Sequence, residues 1–302
     1  EGEGVIVPMP AYKPFVTIVE SLGRELIPWP MHYDGKGRFS LDFELLNHLL
    51  EKTQAPLLIF CSPHNPTGRV FSLDELRQLI EACATFRVTI ISDEIHSDLS
   101  FPQVTHIPLG MVAEGSGVEC ATCVAPSKTF NIAGQHFSSV VCSSSAMYRK
   151  LTERMEALRI GPDILATVAA SAAYSGGYEW LMSLNRYLSR QADNITKQLA
   201  KENNGLLFVT PEASFIGLID CSAIYERVAL DAKNNSELYN PKLSPQGGLL
   251  SRFFGQRGAI AMNDGSWFGK GWEPFVRFNF ATTQERVEEA LKAITAAVEN
   301  LN

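Results

Sequence analysis

Apolar runs of four or five residues alternate with stretches of helical spacing through the first half of the chain. "VIVP" (4–8), "LIPW" (26–29), "LLIF" (57–60) and "VTIIS" (88–92) read as strands. Helical patterns fill the intervals near 13–23 and 41–52 and from 72 onward. Ser72 with Glu75 three residues later forms a capping box ahead of Leu76, Leu79, Ile80 and Cys83, which share one helix face. Strands that are apolar throughout, rather than alternating, predict burial on both faces. The first half is therefore expected to be α/β, a doubly wound, mostly parallel sheet covered by helices.

The pattern changes after residue 145. The chain reads helical to 205, with breaks at Gly161-Pro162 and Gly176-Gly177 and a single long helix over 178–203. Strands follow at 206–209 and 215–220. A polar segment at 226–247 carries no reading beyond a surface loop, and a helix is expected near 248–256. "AIAM" (259–262) and "FVRFNFA" (275–281) read as further strands, and Thr282 with Glu285 as a capping box for a last helix. A large domain over 1–190 and a smaller C-terminal α+β domain over 191–302 are expected, with the boundary inside the long helix.

Composition narrows the function classes. The 302 residues carry a net charge of −7, with Lys and Arg scattered rather than striped, so nucleic acid is not expected as a partner. No run approaches the ~18 apolar residues of a membrane span, and a cytoplasmic protein is expected. Cys120 and Cys123 make a C-x-x-C, but residues three apart on a strand face opposite ways, so no metal site is expected there. The chain opens on "EGEGVIVPMP", without Met, and enters a strand within four residues. A piece of a longer polypeptide is expected, with a segment of the same chain preceding it.

Three polar clusters stand where the strands should end: "SPHNPTG" (62–68), "SDEIH" (92–96) and "APSKTFNIAG" (125–134). In doubly wound sheets, ligands gather at the carboxyl ends of strands. A carboxylate directly after "VTIIS" needs a cation or strong donor, and a lysine near a buried rim is readily turned into an amine nucleophile. Asn65, Asp93 and Lys128 on one rim suit pyridoxal 5'-phosphate chemistry: the lysine forms the Schiff base, the carboxylate pairs with the pyridinium N–H, and the amide donates to the phenolic oxygen. The prolines around Asn65 would keep it rigid.

The order N-P-T-G, S-D-E, S-K-T-F-N, with 28 residues from Asn65 to Asp93 and 35 from Asp93 to Lys128, resembles the fold type I pyridoxal phosphate enzymes of the class I/II aminotransferase family. The resemblance runs from about residue 4 to the C-terminus. It implies Lys128 as Schiff-base lysine and proton shuttle, Asp93 as pyridinium partner and Asn65 as ligand of the phenolic oxygen. It further implies Tyr12 stacked on the ring, Ser127 on the phosphate and Arg277 on the substrate α-carboxylate, and a homodimer. Where aminotransferases carry D-E-x-Y, this chain has "DEIH", placing His96 on the cofactor side. "DEIHSDL" followed by "PSKTFNIAGQ" is similar to the cystathionine β-lyase branch. Ala125 and His136 replace phosphate-binding Ser and Arg of many relatives, and the family's Gly-rich phosphate turn should precede residue 4. The resemblance thus implies a carbon–sulfur lyase acting on cystathionine or cysteine S-conjugates, a small-molecule amino-acid substrate. An aminotransferase or ACC-synthase-like enzyme, and a non-catalytic regulatory domain of the same fold, stand as alternatives.

Overall fold

In the computed structural model, which describes residues 2–242 and 245–301, the apolar runs of the first half line up in one six-stranded sheet. The strands are β1 (Gly4–Met9), β2 (Glu25–Pro30), a small hairpin of β3 (His32–Tyr33) and β4 (Phe39–Ser40), β5 (Leu57–Cys61), β6 (Thr89–Asp93), β7 (Cys120–Val124) and β8 (Ser139–Cys142). The large sheet runs β2-β1-β5-β6-β7-β8, parallel throughout except for β8. A second, antiparallel sheet has the order β11-β12-β10-β9, from β9 (Leu207–Val209), β10 (Ile216–Asp220), β11 (Asn263–Asp264) and β12 (Phe275–Asn279).

Helices cover both sheets: α1 (Lys13–Ser21), α2 (Phe43–Thr53), α3 (Leu73–Phe86), α4 (Leu109–Ala113), α5 (Pro126–Thr129), α6 (Ser145–Ala157), α7 (Ile164–Gly176), α8 (Tyr178–Glu202), α9 (Ser222–Asn234), α10 (Leu249–Gly258) and α11 (Gln284–Glu299). All six residues of β1 and four of the five of β5 are buried, as a parallel strand covered on both faces requires. The box at the start of α3 forms in both directions, and Arg69 Nη2 reaches both Glu75 oxygens at 2.8 Å. No helix among the described residues is long and apolar enough to cross a membrane.

Three local expectations are corrected. Residues 222–234 form α9 rather than a surface loop, because Ile224 and Val228, four apart, bury against the second core; residues 243 and 244 of the polar segment lie outside the described residues. "AIAM" is not a strand: α10 ends at Ala259 in a left-handed cap, and pairing with β12 begins only at Asn263. The cap of α11 is Thr283, whose Oγ1 accepts from Arg286 N, so Thr282 and Glu285 make no box. Helix α8 is continuous through residue 190, and Leu181 and Leu188 before it share one core with Ala192, Ile195 and Leu199 after it.

Candidate active site

Strand register gathers the candidate residues. Cys61 pairs with Asp93 and Asp93 with Cys123, so β5, β6 and β7 end level, and the ladder runs on through Ser62 N to Asp93 O (3.0 Å) and Glu94 N to Cys123 O (2.9 Å). Asn65, Asp93 and Lys128 leave the sheet from these three adjacent ends.

The loop after β5 is a closed turn. Gly68 N donates to His64 O at 2.6 Å, His64 N to Arg69 O at 2.7 Å, and His64 Nδ1 lies 2.9 Å from Thr67 Oγ1. Gly68 sits at φ +69°, and a Cβ there would fall 2.2 Å from Pro211 Cβ. Only glycine allows this approach, which lets Glu212 N and Ala213 N both donate to Gly68 O. The turn is thereby tied to the loop before β10, and Asn65, 8 % exposed, is held still.

Asn65 Oδ1 accepts from Arg277 Nη1 at 2.9 Å. Its NH₂ is left as the free end, a donor facing the site. Arg277 Nη2 donates to Asn263 Oδ1 at 2.7 Å, and the guanidinium lies 5.1 Å from the Phe268 ring centre. Among the described residues no carboxylate lies within salt-bridge distance of Arg277, and its buried Nε has no partner. Burial lowers its pKa, while the nearby Tyr12 works against that shift. An oriented cation without a counter-ion is suited to a ligand carboxylate.

Asp93 is the reverse case. Burial pushes its carboxyl up to about 6, opposed by the Ile95 N–H that reaches Oδ1 at 3.2 Å and by Lys128; neighbouring Glu94 adds to the rise. No Lys or Arg among the described residues forms a salt bridge with it. The carboxylate therefore fits a partner that brings its own N–H⁺, as a pyridinium does. Lys128, half-buried on α5, lines a cavity of about 880 Å³ with Ser127, Trp180, Tyr187 and Phe215. Tyr12, Phe268 and Arg277 line another, of about 630 Å³. Tyr12 precedes α1 with its ring edge-on to Phe15.

His96 is 4 % exposed, and burial, then Lys128 and Arg277, hold its pKa down to about 3. It is a neutral ring at any working pH. The structure thus brings Asn65, Asp93, His96, Lys128 and Arg277 into one electrostatic neighbourhood, with Ser127 beside the lysine and Tyr12 beside the arginine. Ala125 is buried at the start of α5, and His136 is exposed in a left-handed cap. All six cysteines are free.

Sequence reasoning missed Asn263 and Ser214. Asn263 is the cross-strand partner of Arg277, a pairing hidden because the strand was placed four residues early. Ser214 Oγ lies 2.9 Å from His96 Nδ1 across 118 positions of sequence, a separation no local pattern reveals.

Comparison with known proteins gives concordant results. The model of the family "Aminotransferase class I and II" matches residues 1–294. Cystathionine beta-lyase PatB of Bacillus subtilis (strain 168) is 31% identical over 98% of this chain and 72% of its own length. Cystathionine beta-lyase of Corynebacterium glutamicum is 30% identical over the same shares. Among solved structures, the PLP-bound C-S lyase from Staphylococcus hominis superposes with a TM-score of 0.85 at 28% identity, over 100% of this chain and 73% of that one. Cystalysin from Treponema denticola, which contains pyridoxal 5'-phosphate, gives 0.87 at 26% over 100% and 72%.

Proposed function

We propose that this chain, which belongs to the aminotransferase class I and II family, is a pyridoxal phosphate-dependent carbon–sulfur β-lyase that releases thiol, pyruvate and ammonia from cystathionine or cysteine S-conjugates. The observation that carries this reading is Asp93: a half-buried carboxylate that makes no salt bridge among the described residues, at the strand end beside the one that leads to Lys128. When bound, pyridoxal phosphate supplies an electron sink conjugated to the substrate α-carbon.

The chain's own residues do the rest. Lys128 Nζ would hold the cofactor covalently and, once released by the substrate amine, carry the proton away from Cα. Asp93 holds a proton at the ring nitrogen. The Asn65 amide donates to the phenolic oxygen while its carbonyl keeps Arg277 aimed. Arg277 takes the α-carboxylate as a bidentate pair, orienting the Cα–H bond toward the lysine. Tyr12 would cover the ring and Ser127 would donate to the phosphate. His96 replaces an ionisable phenol by a neutral imidazole, the feature that favours elimination over transamination here.

The exposed apolar side chains Val141 on β8, Leu158 just after α6, and Ile164, Leu165 and Val168 on α7 support a homodimer that covers them. Six free cysteines support a reducing, cytoplasmic setting. The two separate sheets, one built from strands before residue 145 and the other from strands after residue 205, support a division of the chain near residue 190.

Incubation with cystathionine or an S-alkyl cysteine, without any keto-acid acceptor, tests the reaction. Pyruvate and free thiol are expected in equal amounts. Turnover that demands 2-oxoglutarate and frees no thiol makes the chain an aminotransferase, the activity borne in name by the 27% identical aspartate aminotransferase of Pyrococcus abyssi (strain GE5 / Orsay).

A further inference from the structure

The loop between β9 and β10 holds a residue in an unfavourable conformation against the site. Ser214 adopts φ +75°, a region that costs a side-chain-bearing residue about 1–2 kcal/mol and is mostly left to glycine and asparagine. It is 2 % exposed, and its N–H donates to Leu99 O at 2.8 Å. The preceding residues, Glu212 and Ala213, are fastened to Gly68 O, and Val70 N donates to Glu212 Oε2 at 2.8 Å. The loop is thus fixed to the turn that carries Asn65 and to the segment that follows His96, and it delivers one hydroxyl to one nitrogen: Ser214 Oγ to His96 Nδ1 at 2.9 Å.

The direction of that bond follows from the rest of the hydroxyl's surroundings. Ser214 Oγ makes no other hydrogen bond among the described residues. Were Nδ1 the protonated nitrogen, it would donate to Oγ, and the hydroxyl proton would be left buried without an acceptor, at a cost of about 1–3 kcal/mol. Were the hydroxyl the donor, the hydroxyl and Nδ1 would satisfy each other, and the ring proton would sit on Nε2, which has no partner among the described residues but is not among the fully enclosed unpaired atoms. A charged ring, with protons on both nitrogens, is opposed by burial and by Lys128 and Arg277.

We propose that Ser214 is a positioning residue that locks His96 in the neutral Nε2–H tautomer, so that the histidine presents a fixed N–H donor to an anionic oxygen in the site. The use of that donor, on the phenolic oxygen of the cofactor, rests on the function proposed above; the tautomer itself does not. Glycine at 214 would relax the backbone but leave the imidazole free to carry its proton on either nitrogen.

Ser214→Gly is the informative variant, since it removes the hydroxyl and relieves the backbone at once, and so should fold. Nitrogen-15 NMR of the full chain with labelled histidine and no cofactor reads the tautomer directly, with His96→Asn identifying the signal. The wild type is expected to show His96 protonated at Nε2 alone, and Ser214→Gly a mixture of both tautomers. Titration of both proteins with pyridoxal phosphate, followed by absorbance, is expected to show roughly two- to tenfold weaker binding by the variant, the worth of one net hydrogen bond. A wild-type ring protonated at Nδ1, or a variant that keeps the Nε2–H form, overturns the proposal. A wild type that shows the Nε2–H form yet binds no cofactor overturns the function proposed above and leaves the role of Ser214 standing.

Discussion

Asp93 and Glu94 are consecutive carboxylates at the end of one strand, and the fold treats them in opposite ways. Glu94, 1 % exposed, turns inward, where Oε1 accepts from Ser92 Oγ (2.8 Å) and Leu109 N (2.9 Å) and Oε2 meets His106 Nε2 at 2.7 Å. Both of its oxygens are satisfied within the chain, and they tie β6 to the start of α4. Asp93 turns to the rim and receives one backbone N–H, at 3.2 Å. The difference separates a carboxylate that holds the fold from one that the fold holds ready for something else. Arg277, likewise half-buried and without a counter-ion among the described residues, belongs with Asp93.

The sharpest break between the two regions is kinetic. Lys128→Ala should lower the rate of thiol release by about 10²–10⁴-fold or more, since proton transfer at Cα is lost along with covalent attachment. Urea unfolding of the same variant should differ little from wild type, because Lys128 makes no salt bridge among the described residues. Glu94→Ala should do the converse. It strands His106, Ser92 and Leu109 N in a buried place, and the expected loss of stability is about 3–5 kcal/mol, read as a fall in the urea midpoint.

Asp93→Asn should stabilise the cofactor-free chain, and its pH dependence is diagnostic. An ordinary unfolded Asp titrates near 3.8, and in the folded chain burial raises it to about 6, so the native state binds the proton more tightly. Stability attributable to Asp93 is therefore highest below the unfolded value and is lost as pH rises through the folded one. At pH 8 the asparagine variant should be more stable by roughly 2–3 kcal/mol, and near pH 3.5 no more stable than wild type. Thermal unfolding at the two pH values reads the difference. A loss of stability at both pH values would place Asp93 with Glu94 as an ordinary structural group.

The smallest effect expected is that of Gly68→Ala, about 1–3 kcal/mol, from a positive φ and a Cβ driven into Pro211. Because the Asn65 turn shifts with it, cofactor affinity should fall along with stability. Equal affinity in the variant would mean that the turn does not position Asn65.

The large sheet was legible from sequence because burial on both faces writes itself as unbroken apolar runs, and β1, β5 and β6 lie within a residue of where those runs stand. Asn65, Asp93 and Lys128 were legible because each directly follows such a run, so strand order alone brings them to one rim. The second sheet was harder: β11 has two residues and no apolar run, and α9 fully buries only Ile224 and Val228 while Leu230 faces solvent, which blurs its helical pattern. Ser214 and Asn263 left no trace, since each acts across a tertiary contact through a single polar atom.

Covalent capture at Lys128 tests the reading of the rim most directly. The chain is incubated with pyridoxal phosphate, reduced with borohydride, digested and mapped by mass spectrometry, beside an Asp93→Asn sample treated alike. The phosphopyridoxyl group is expected on the peptide carrying Lys128 in the wild type and much less of it in the variant, whose neutral amide cannot hold a proton at the ring nitrogen. Label spread over exposed lysines, or label at Lys128 undiminished in Asp93→Asn, would contradict the assignment of Asp93 as the carboxylate kept unpaired for the cofactor.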